Sequence, residues 1–115
     1  MRLLYALALL PALVLAGCHS AFVTAVVTNR TSQPIQLLEV SYPSASFGTQ
    51  SIAPGADFRY RFKVLGEGKM SLTYTDPQHQ EHKSEGPLLK EGAEGPITIT
   101  ILANDVHWQN DTHMR

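Results

Sequence analysis

The chain has 115 residues, enough for one modest hydrophobic core and too few for two. Nine Lys/Arg against ten Asp/Glu give a net charge of −1, which excludes the concentrated positive field of a nucleic-acid binder and a polyanionic tail. A single cysteine excludes an internal disulfide, so burial and strand pairing must hold the fold.

One basic residue, Arg2, precedes Leu3 to Ala16, an uncharged run made mostly of Leu and Ala; this is the n-region and h-region pattern of an export signal. As a helix the run extends about 21 Å at 1.5 Å per residue, short of a hydrocarbon core of about 30 Å. Pro11 would also interrupt a helix meant to persist. Both features argue against a stable membrane span. Ala16 and Gly17 then place small side chains directly before Cys18, and in an exported chain a lone thiol is either reactive or modified. Leu15-Ala16-Gly17-Cys18 resembles the lipobox of bacterial lipoproteins. That resemblance implies that residues 1–17 are a signal peptide cut between Gly17 and Cys18, with a diacylglyceryl thioether on Cys18 and an acyl group, such as palmitate, on its new amino terminus. It also implies a bacterial cell-envelope protein. By the same resemblance, in which an aspartate after the cysteine retains a lipoprotein at the inner membrane, His19 and Ser20 at these positions imply the outer membrane facing the periplasm. The alternative is an ordinary secretory signal cut nearby, with Cys18 left free. Two or three long acyl chains anchor durably where one holds marginally, each buried methylene contributing about 0.8 kcal/mol.

Removal of residues 1–17 from the 115 leaves 98, and only Arg2 among the charged residues is lost. Residues 18–21 are then the lipidated cysteine and a short tether, 22–108 a folded domain and 109–115 a flexible tail. Phe22 to Thr28 reads as a strand covered on both sides, with Val23, Ala25 and Val27 on one face. The polar cluster Asn29 to Pro34 turns the chain. In Ile35 to Tyr42, Leu38, Val40 and Tyr42 share an inward parity that Ile35 and Leu37 break, which predicts a bulge near Leu37. A short strand runs from Phe47 to Ile52, and Pro54-Gly55 forms a turn.

The clearest alternation is Asp57 to Val64, with Phe58, Tyr60, Phe62 and Val64 inward, as in a half-buried antiparallel strand. Gly66-Glu67-Gly68 leads into Lys69 to Thr75, whose inward residues are Met70, Leu72 and Tyr74, and these two strands are expected to pair. Asp76-Pro77-Gln78-His79 reads as a type I turn ending in a left-handed residue. A weaker polar strand over Gln80 to Ser84, a loop over Gly86 to Pro96 and a closing strand with Ile97, Ile99 and Ile101 inward follow; Val106 and Trp108 extend it. About seven strands joined by Pro/Gly/Asn turns imply an all-β, immunoglobulin-like antiparallel β-sandwich rather than a closed barrel.

Arg59, Arg61 and Lys63 project from one strand face and form the candidate anion- or partner-binding surface, with Ser71, Thr73 and Thr75 as neighbouring hydroxyls. Long cations also simply decorate exposed sheet faces and discourage edge pairing. His79 and His82 are spaced so that a strand sends their rings to opposite faces, which disfavours shared metal coordination, and neither His19, His107 nor His113 suggests a site. No metal and no cofactor are expected beyond the lipid on Cys18. No Gly-x-Ser-x-Gly elbow is present, and Glu81, Glu85, Glu91 and Glu94 sit in polar sequence rather than as a catalytic pair. Tyr42, Tyr60, Tyr74 and Trp108 read as core or rim packing, and the sequons at Asn29 and Asn110 as a turn and a polar tail.

Together these readings describe a non-enzymatic, membrane-proximal interaction or assembly module with a protein partner in the envelope, its oligomeric state open. The alternatives are a binder of anions or small ligands through the basic strand face and, less well supported, a hydrolase.

Overall fold

A computed structural model describes residues 20–115, so residues 1–17, expected to be a signal peptide, and Cys18 and His19 lie outside the described residues. The fold is an all-β sandwich with nine strands among those residues: β1 (Val23–Asn29), β2 (Ile35–Tyr42), β3 (Ala45–Ile52), β4 (Asp57–Phe62), β5 (Gly68–Thr75), β6 (Glu81–Leu89), β7 (Ala93–Ile101), β8 (Val106–Asn110) and β9 (His113–Met114). One sheet runs β4-β1-β7-β8, with β9 paired to the start of β7; the other runs β3-β2-β5-β6. All pairs are antiparallel except β1 with β7.

Alternation explains which faces meet. Val23, Ala25 and Val27 of β1 and Ile97, Ile99 and Ile101 of β7 are buried against Leu38 and Val40 of β2 and Met70, Leu72 and Tyr74 of β5. Burying each such aliphatic side chain contributes roughly 1.5–3 kcal/mol. The bulge falls where the parity breaks: pairing of β2 with β5 slips between Gln36 and Glu39, and Leu37 takes a φ of 52°. Leu38 therefore turns inward while Leu37 stays exposed. Gly48 on β3 accommodates the slip, because a Cβ there would lie 2.0 Å from the Leu38 carbonyl oxygen. The left-handed turn residue is also where it was expected, with His79 at φ 63°.

Four expectations are corrected. The strands at 57–64 and 69–75 do not pair; β4 pairs with β1, while β5 lies between β2 and β6 in the other sheet. The alternating pattern ends at Phe62, and the 63–67 connection crosses the core with Val64 fully buried, so the chain changes sheets instead of folding into a hairpin. Tyr60 is only half covered, because β4 is a sheet edge and its ring leans across the rim onto Phe47 of β3, the centroids 4.4 Å apart. The span 86–96 is not a loop. β6 continues to Leu89 and β7 begins at Ala93, with Gly86 leaving room for the Trp108 indole and Gly92 and Gly95 taking φ of 87° and 116°. Finally, 109–115 does not fray after Trp108, since β8 reaches Asn110 and β9 pairs Ala93 with Met114 and Glu94 with His113.

Both lateral rims of the sandwich are closed by aromatic groups. Tyr42 stacks on Phe62 at 4.1 Å beside the Phe47–Tyr60 pair. At the other rim the Trp108 Nε1 donates to Ser84 Oγ at 2.9 Å, joining β8 to β6.

Candidate functional site

Registers sort the connections into two ends. Phe22, the 43–44 turn, the 63–67 crossing, the 90–92 turn and β9 lie at the end where the chain enters β1. Connections 30–34, 53–56, 76–80 and 102–105 lie at the opposite, distal end.

Arg59, Arg61 and Lys63 occupy the exposed edge strand β4 and its continuation. Arg59 pairs with Val26 and Arg61 with Thr24, and the Arg61 guanidinium sits 3.9 Å from the centre of the Phe22 ring, a cation–π contact close to the entering chain. None of the three forms an ion pair among the described residues. The hydroxyls expected beside them are elsewhere: Ser71, Thr73 and Thr75 belong to β5 in the other sheet. In register with Arg61 stands instead Thr24 of β1, with Thr28 opposite Asp57 on the same ladder, and Thr98 and Thr100 of β7 lie beyond Val26 and Thr28. Thr28 Oγ1 is committed, donating to Asp57 Oδ1 at 2.8 Å.

The distal end holds a cleft of about 190 Å³ walled by Thr31, Ser32 and Gln33, by Tyr74, Asp76 and His82, and by Ala103. Asp76 organises it. Its Oδ1 accepts from the backbone N–H of Gln78 at 2.9 Å and of Gln80 at 3.0 Å, closing the hairpin turn. Its Oδ2 lies 2.8 Å from His82 Nε2. An ionised carboxylate only accepts, so this contact places the imidazole proton on Nε2. The His82 ring lies flat on Tyr74, centroids 4.8 Å apart and planes 9° apart, which is the cross-strand pairing that the β5–β6 register imposes.

The hydrogen bond from His82, then that from Gln80, holds the Asp76 carboxyl below its ordinary value. Burial, and then the Asp76 charge, push the Tyr74 hydroxyl up. Among the described residues no serine or threonine hydrogen-bonds to His82, and no group of three or more His, Cys, Asp and Glu gathers as a metal would require. His79 stays at the turn and His107 is exposed on β8. His113 and Arg115 approach Glu94 at 3.6 and 3.5 Å. Glu91 Oε1 accepts from the Gly66 N–H at 3.1 Å, while Glu81 and Glu85 are exposed on β6.

The cleft is smaller than the roughly 300–1,000 Å³ of pockets that enclose small ligands, so it suits one projecting side chain of a partner. Its Asp–His–aromatic wall was missed in the sequence because His82 was weighed with His79 rather than with Tyr74. A hairpin centred on the 76–79 turn would have put Tyr74 and His82 opposite each other.

Under this cleft Asn29, the one fully buried polar side chain in the described core, ties the distal connections together. Its Nδ2 donates to the carbonyls of Gln33 at 2.9 Å and Ile52 at 3.0 Å, and its Oδ1 accepts from Thr31 N–H at 2.9 Å and Thr31 Oγ1 at 2.7 Å. No protein-family model, curated protein or solved structure matches the chain.

Proposed function

We propose that this chain is a lipid-anchored, non-catalytic cell-envelope module, held by Cys18 at the periplasmic face of the outer membrane, that offers its distal loops to a protein partner. One observation carries the reading: the sandwich is polar end to end. Only three residues separate Cys18 from Phe22, which leads into β1, and the 30–34 and 76–80 connections, braced by Asn29 and Asp76, open a side-chain-sized cleft at the far end. Three extended residues reach at most about 10 Å, so an acylated Cys18 keeps the entry end against the bilayer and turns the cleft away from it. Loop clusters at the end of a sandwich are also where such scaffolds display recognition residues.

Photo-crosslinkers placed at Ser32 and Gln78, both exposed beside the cleft, test this in native membranes. The expected result is one envelope protein captured from both positions and lost in a Tyr74→Ala, His82→Ala double variant that remains folded. Capture from the exposed sheet position Arg59 alone would refute the distal site. A second reading is favoured by the absence of ion pairs around Arg59, Arg61 and Lys63 among the described residues: an anion-binding face on β4. It requires a salt-dependent affinity for anionic wall or lipid fragments that disappears when the three charges are reversed.

A further inference from the structure

We infer that the entry end of the sandwich is a bilayer-docking surface, in which Leu65, Leu88 and Met114 sit at headgroup level while Arg61, Lys63, Lys69, Lys90 and Arg115 face anionic lipid. The elements that carry these residues are joined at one end. Gly95 N–H donates to the Phe22 carbonyl at 3.0 Å, Leu65 N–H to Ser44 Oγ at 3.4 Å and Gly66 N–H to Glu91 at 3.1 Å. Leu88 pairs with Lys69, and Met114 Cε lies 3.6 Å from where a Cβ on Gly92 would be.

Exposure points to an apolar neighbour. Leu65, Leu88 and Met114 are 55%, 51% and 53% exposed, and Leu88 and Met114 line one shallow depression with Lys90. Apolar side chains flanked by lysines are the composition that rests in a membrane interface.

Charge points the same way. At this end five cations stand against Glu67, Glu91, Glu94 and Asp111; Glu91 accepts from Gly66 N–H, Asp111 accepts from Gln109 Nε2, and Glu94 is approached by His113 and by Arg115, itself one of the five. At the distal end Asp57, Asp76, Glu81 and Asp105 outnumber Arg30 and Lys83. A bilayer with anionic headgroups complements that polarity. A second copy docked end to end through the same surface would set five cations against five. The inference takes its geometry from the lipid-anchor reading, yet docking is measurable apart from it.

The test uses the full chain, purified from membranes and reconstituted into vesicles of phosphatidylcholine, alone or mixed with phosphatidylglycerol. Single cysteines replace Leu65, Leu88 or Met114, and Gln78 or Asn104 at the far end. Each carries an environment-sensitive thiol fluorophore read against lipids with a quencher on the acyl chain. The unsubstituted chain takes up the label only if Cys18 is free, which reports the anchor separately. Expected are quenching at 65, 88 and 114 but not at 78 or 104, and stronger quenching with phosphatidylglycerol. Neutralisation of Lys63, Lys69 or Lys90 to Gln should weaken the anionic-lipid preference by about fivefold each. Equal quenching at both ends, no quenching at the entry end, or a spectral shift that needs no vesicles and grows with protein concentration overturns the docking surface. A blocked Cys18 with an unquenched entry end leaves the anchor standing and refutes docking. A labelled Cys18 with quenching that persists on phosphatidylglycerol does the reverse.

Discussion

Asn29→Asp is the sharpest probe of what holds the distal end in shape. The substitution keeps volume and the Oδ1 position that receives Thr31, so it opens no cavity. It replaces the Nδ2 donor with an oxygen facing two carbonyls, Gln33 at 2.9 Å and Ile52 at 3.0 Å. Leaving the buried Ile52 carbonyl unpaired costs about 1–3 kcal/mol, and losing the partly buried Gln33 bond about 0.5–1.5. The neutral-pH penalty is therefore at least about 2–4 kcal/mol, before the charge itself is counted. That is a large fraction of the roughly 5–15 kcal/mol that holds a domain folded. At about 4–8 °C per kcal/mol, Tm should fall by about 10–30 °C. The sign of the pH dependence is a second check. Burial and two facing carbonyls raise the folded pKa of an aspartate at this position, so its penalty is greatest above that raised value and recedes as pH falls toward the ordinary carboxylate value of about 4. Urea unfolding of parent and variant in detergent, at neutral pH and in acid, measures both. A penalty under about 1 kcal/mol with unchanged m, or one that grows on acidification, would refute the reasoning.

Gly48→Ala should lose at least about 1–3 kcal/mol in the same assay, because its Cβ would lie 2.0 Å from the Leu38 carbonyl oxygen and must push β2 and β3 apart. Leu37→Gly should stay within about 1 kcal/mol of the parent, since relief at φ 52° offsets the entropy of the added glycine. Gly86→Ala places a Cβ 2.5 Å from the Trp108 ring, so the indole must move and give up Ser84; a red shift in emission of the chain's single tryptophan, with lowered stability, is expected. Asp76→Asn changes the acid limb of stability. The depressed folded pKa of Asp76 contributes stability that is present above the ordinary carboxylate value and lost as pH falls through the folded one, so the parent's advantage over the variant should shrink in acid. A constant difference across pH in urea titrations would contradict that.

Much of the fold was legible because burial writes itself as period two. Val23, Ala25 and Val27, Met70, Leu72 and Tyr74, and Ile97, Ile99 and Ile101 are the buried positions that alternation marks, and the broken parity at Leu37 marks the bulge. Pairing was less legible, because alternation states which face is covered and not which strand lies alongside. β4 satisfies its pattern equally well beside β1 or β5, and the choice is made by Val64 crossing the core. Glycine misled at 86–96, where Gly86 serves a tryptophan far along the chain rather than a loop. The end of the chain was read as frayed because its polar residues, Gln109 to Arg115, pair along an exposed strand edge with no apolar signature. At the candidate site, the three cations stand exposed on the edge strand where the alternation put them. Their hydroxyl neighbours were misplaced for the same reason as the strand pairing, and the Asp76–His82–Tyr74 wall emerges only once the hairpin register is known.

Intact-mass and tandem mass spectrometry of the protein purified from its native membranes tests the central claim most directly. The expected product begins at Cys18, with a diacylglyceryl group on its sulfur and an acyl chain on its amino nitrogen. A chain that retains residues 1–17, or one that carries an unmodified Cys18 thiol, would contradict the account.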